Sequence, residues 1–121
     1  MRHLIRKSEL IAWAFFSLSS FAASVQADVF HWCYVDERDY GRYVYYSTVF
    51  RVKDFTYAVG IQNSFGSHID ARFNPRNSDT AHCMGPYDSY SEAVDELNDD
   101  IAGRRRGGKS VTLTHWAYQG D

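Results

Sequence analysis

Apolar residues in the first half of the ordered pattern come in short runs that are β-branched and aromatic, the habit of strands. Residues 29–36 (VFHWCYVD) form one run and residues 42–51 (RYVYYSTVFR) a second. A polar loop over 37–41, ending in Gly41, separates them, so the pair reads as a hairpin with a loop of about five residues. From 54 to 73 the period changes. Ala58, Ile61, Phe65, Ile69 and Phe73 recur at steps of three and four, which places them on one face of a helix. Asn74-Pro75 ends that helix, because the residue before a proline avoids the helical region. Residues 74–79 read as a polar loop and 80–84 as a short strand carrying Cys83.

The second helix has the clearest local signal. Ser89-Tyr90-Ser91-Glu92 is a capping box, Ala93, Val94, Leu97 and Ile101 make the apolar stripe, and Gly107-Gly108 stops it. Residues 109–118 (KSVTLTHWAY) alternate as a last strand. The order ββαβαβ predicts a small single α+β domain. Its expected form is one antiparallel or mixed sheet, both helices on one face, and one disulfide.

Residues 1–27 follow a different pattern. Arg2, Arg6 and Lys7 precede a largely apolar stretch over 10–21, and small residues lead to Val25-Gln26-Ala27. That is the charged, apolar and small-residue order of a secretory signal peptide. The apolar stretch falls short of the roughly 20 residues a membrane span needs. The expectation is a signal over 1–27, a single domain over 28–121 in the periplasm or outside the cell, and no membrane span after cleavage. Cys33 follows Val29-Phe30-His31-Trp32, which is no lipidation motif.

Composition narrows the function classes. The 121 residues carry a net charge of −2 and are 17% aromatic, which excludes a disordered chain and argues against a nucleic-acid partner. Without residues 1–27 the charge becomes −4, through loss of Arg2, Arg6, Lys7 and Glu9. In an oxidising compartment Cys33 and Cys83 are expected to pair, since they lack a redox or thiol-enzyme spacing. Of the histidines, His31, His68, His82 and His115 show no metal-ligand spacing, and no cofactor motif occurs. Asp36-Glu37-Arg38-Asp39 lacks the regular oxygen ligands of a calcium loop, and Arg104-Arg105-Arg106 reads as the favoured positive end of a helix.

The aromatic residues remain. Alternation puts Phe30, Trp32 and Tyr34 on one face of the first strand and Trp116 and Tyr118 on one face of the last. With both helices on the opposite side, these five would form an open aromatic face, the signature of a binding surface. The function expected is therefore an exported small binding protein whose partner is a protein, as for an inhibitor, an immunity protein or an envelope assembly component. An envelope glycan and a homodimer are the other ways to cover such a face. The competing class is a small envelope hydrolase with His31 or His115 as base beside a carboxylate; strand alternation places those two histidines near one another.

Overall fold

The first strand is the centre of the sheet. The computed structural model describes residues 28–37, 41–53, 58–75 and 80–119, so the expected signal over 1–27 lies outside the described residues. Strand β1 (Asp28–Asp36) has β2 (Tyr43–Tyr46) and β3 (Phe50–Lys53) along one side and β4 (His82–Tyr87) along the other, all antiparallel to it. Strand β5 (Ser110–Leu113) adds parallel to β2. With helices α1 (Ala58–Phe73) and α2 (Tyr90–Arg106) this makes an α+β fold on a mixed five-stranded sheet. Cys33 and Cys83 face each other across β1 and β4 and form a disulfide.

The strand expected over 42–51 is two strands, because it contains a β-bulge. Tyr34 pairs with Tyr46 but His31 pairs with Phe50, leaving two residues on β1 opposite three at 47–49. Ser47 holds the irregularity in place. Its N–H donates to the Cys33 carbonyl (2.9 Å) and its Oγ accepts from the Cys33 N–H (2.8 Å). One extra residue reverses the face taken by every side chain after it. Tyr46 accordingly packs with Trp32, whereas Phe50 packs with Cys33 on the other face.

Both faces of the sheet are cores. Val29, Cys33 and Val35 meet Ile61, Phe65 and Ile69 of α1. Trp32, with Phe30 and Tyr34 beside it, meets Ala93, Leu97 and Ile101 of α2. The helices therefore lie on opposite faces, and the expectation of both on one face is corrected. The physical reason lies in β1 itself. Its odd positions (Val29, Cys33, Val35) and its even ones (Phe30, Trp32, Tyr34) are both largely apolar, so each side has to be removed from water by its own helix.

Local chemistry sets the element ends. The Ser89 Oγ accepts from the Glu92 N–H (3.1 Å), as the capping box requires. Asn74, at φ 45°, turns its N–H back to the Ile69 carbonyl (3.2 Å) and closes α1 before Pro75. The last strand stops at Leu113, short of the expected 118. Thr114 donates both its N–H (2.9 Å) and its hydroxyl (2.7 Å) to the Tyr46 carbonyl, and His115 then takes φ 62°. The chain that follows carries Trp116 and Tyr118 against Phe50 on the α1 face.

Candidate functional site

The five aromatic residues expected to form one surface are divided between the two cores. Trp32 is only 2% exposed beneath α2, with Phe30 and Tyr34 half-buried alongside. Trp116 and Tyr118 are half-buried on the opposite, α1 face, where Trp116 sits edge-on to Phe50 (5.7 Å) and beside Phe65 (5.1 Å). No open aromatic face is present among the described residues. The relative phase of the first and last strands accounts for the difference: Val111 lies on the Trp32 side, not the Cys33 side.

The two histidines are likewise separated. His31 is 6% exposed on the α1 face, stacked on Phe50 at 6.3 Å. Its Nδ1 is so close to Gly85 that a Cβ at that position would stand 2.7 Å away, which only a glycine tolerates, and Gly85 also has φ +128°. His115 is exposed on the α2 face. No group of three or more His, Cys, Asp or Glu able to hold a metal occurs among the described residues.

Burial pushes the His31 imidazole below its ordinary pKa of 6.5, against a smaller opposing contribution from the Met84 backbone. The neutral ring is thus the form that folding accommodates. Its contribution to stability is complete above pH 6.5 and is lost as pH falls from there through the lower folded value. Urea unfolding from about pH 7.5 to about pH 5 should show a steeper loss of stability in the wild type than in His31→Gln. Parallel pH dependences would refute this role.

A polar clamp fastens α2 to the sheet. The fully buried Tyr46 donates its hydroxyl to Asp100 Oδ2 (2.5 Å). Arg104 Nη1 donates to Asp36 Oδ1 (2.5 Å), and its guanidinium stands 4.9 Å from the Tyr34 ring centre. Burial and the bond to Asp100 push the Tyr46 phenol well above its ordinary range, so it stays a donor at any working pH. Of the three consecutive arginines, Arg104 is consumed in this clamp, while Arg105 and Arg106 are exposed.

Among the described residues there are concavities on both helix-covered sides of the sheet. A cleft of about 290 Å³ lies between α1 and the approach to β4, with Gln62, Asn63 and Ser67 on its wall. Gln62 Oε1 also accepts from the Cys83 N–H (3.4 Å). Another is a notch of about 170 Å³ where α2 meets the end of β5. Leu97 and Ile101 form its floor, Leu113 stands at its lip, and Ser47, Thr48, Asn98 and His115 complete the rim. The β-bulge supplies the two rim hydroxyls, and the left-handed turn at His115 frames the far side. Leu113 is 47% exposed, although its strand neighbour Val111 is packed against the core. Sequence reasoning passed over this notch because Leu113 and Leu97 each read as ordinary stripe positions of their own elements.

No helix among the described residues is long and apolar enough to cross a membrane. Comparison with protein-family models, with curated proteins and with solved structures finds no match to this chain.

Proposed function

We propose that the chain is an exported, disulfide-braced α+β domain that works by binding another protein, and that it does so at the β5 edge and its notch. The observation that carries this reading is the combination found there. An exposed leucine stands at the lip of a hollow of about 170 Å³, floored by Leu97 and Ile101, at the end of an edge strand. Small-molecule pockets begin at about 300 Å³, so the hollow suits a single side chain of a larger partner. Interface anchors are typically such side chains seated in small apolar pockets. The charged, apolar and small-residue order of residues 1–27 and a Cys33–Cys83 bridge both fit an oxidising compartment outside the cytoplasm.

A benzophenone side chain in place of Leu113 tests the surface. Irradiated in extract of the producing cell's envelope, it should give one discrete cross-linked mass, and the same group in place of the exposed Val59 on α1 should not. Adding excess unlabelled wild-type domain should suppress the product, and excess Leu113→Asp should not. Equal products from both positions, or none from 113, would overturn the assignment.

A further inference from the structure

We infer that the β5 edge takes an extended peptide segment as an added antiparallel strand, and that this segment carries a large apolar residue followed four positions later by Asp or Glu. The inference rests on the binding surface proposed above and specifies its partner's chemistry. Three strands have a free side among the described residues, β3, β4 and β5, and they are not equivalent. At the head of β3 the Thr48 N–H already donates to the Trp116 carbonyl, and Trp116 and Tyr118 pack on Phe50. Strand β4 contains Pro86, which has no N–H to offer, and the Cys83 N–H is already directed to Gln62. Strand β5 carries no such protection. Ser110 and Thr114 direct their N–H groups to the Arg42 and Tyr46 carbonyls of the β2 side. By alternation the N–H and C=O groups of Val111 and Leu113 point outward, along the free edge. An edge of this kind is a template for strand addition.

The side-chain pattern follows from position. Leu113 and Val111 lie on the α2 face, with Leu113 at the lip of the notch, so a residue laid opposite Leu113 on that face packs against the exposed Leu113 side chain. At the other end, the Lys109 N–H donates to the Arg104 carbonyl (3.0 Å), which brings the end of α2 level with the start of β5. Arg105 and Arg106 are exposed there and form no ion pair among the described residues. From Leu113 back to Lys109 is four residues, or roughly 13 Å of strand, and an even separation keeps both side chains on one face. Antiparallel pairing is slightly the more stable arrangement and runs against β5. In the partner the apolar residue therefore comes first and the carboxylate four residues later.

The test is a titration with the capped pentapeptide Phe-Thr-Val-Thr-Glu, followed by backbone amide NMR of the wild-type domain. Shifts and slowed hydrogen exchange should centre on Val111 and Leu113. Replacing the Phe by Ser should weaken binding roughly tenfold or more. Replacing the Glu by Lys should weaken it about two- to fivefold, the effect of an exposed charge. Leu113→Asp in the protein should abolish the response. Absence of binding, or equal binding of the three peptides, overturns the strand-addition proposal. If position 113 still captures its partner by cross-linking in that case, the binding surface stands and only the strand chemistry falls. Concentration-dependent sedimentation that Leu113→Asp removes would assign the edge to a second copy of the chain, and would equally overturn the proposal.

Discussion

Trp32→Ala should cost the domain about 3–5 kcal/mol, the range for deleting a large aromatic from a core that cannot collapse around the gap. Trp32 lies beneath α2, within 6.1 Å of both the Tyr34 and the Tyr46 rings, and packs with Ala93 and Leu97. Its removal leaves a gap beneath the inner side of α2. At roughly 4 °C or more per kcal/mol for a domain of this size, the melting temperature should fall by well over about 10 °C. If the variant does not fold at all, Trp32→Phe should fold and still melt below the wild type. An open aromatic face makes the opposite prediction, an unchanged melting temperature with loss of a partner. A melting curve of Trp32→Ala that overlays the wild type would refute burial of this face.

That same residue shows how far the sequence is readable. The elements were legible, since each has a local cause: the capping box at Ser89, the spacing of Ile61, Phe65 and Ile69, and the stop at Asn74-Pro75. The alternation within β1 was legible too. What alternation does not supply is the phase between strands, which has to be taken from which face is apolar. Here both faces are. Val111 and Leu113 look equally suited to the Cys33 side and the Trp32 side, and the fold puts them with Trp32. Every site expectation built on that phase moved with it, including the aromatic surface and the pairing of His31 with His115.

The bulge at 47–49 is illegible for a related reason. Tyr46 and Phe50 are four residues apart and would share a face in any regular strand. Nothing in Ser47-Thr48-Val49 announces an extra residue, because the irregularity is held by the main chain of Cys33 on another strand. The notch depends on the same nonlocal assembly. Its rim comes from that bulge, its floor from α2 and its lip from β5, so none of its residues carries a local signature. The cysteine pairing, by contrast, needed only compartment and count, and the structure shows the bridge.

That bridge should also be the largest single covalent contribution to stability. Cys33 and Cys83 are 50 residues apart, and closing such a loop in the unfolded chain is worth about 4 kcal/mol in the chain-entropy model. A small domain's whole stability is roughly 5–15 kcal/mol, so the effect is a large fraction of it. Cys33→Ala/Cys83→Ala should therefore show a much lower urea midpoint than the wild type, and a dithiol reductant should lower the wild type towards it. The loss should also have a location. Strand β4 pairs only with β1 among the strands, whereas β2 is held between β1 and β5. Without the covalent link, β4 becomes the first element to open. Amide exchange at His82 and Met84, whose main chains face β1, should accelerate far more than at Tyr46 in the middle of the sheet. Equal midpoints with and without the bridge, or two free thiols in the unreduced denatured protein, would show that the disulfide does not carry this load. A uniform acceleration across β2 and β4 would instead mean that the bridge stabilises the domain as one cooperative unit, with no local role at its edge.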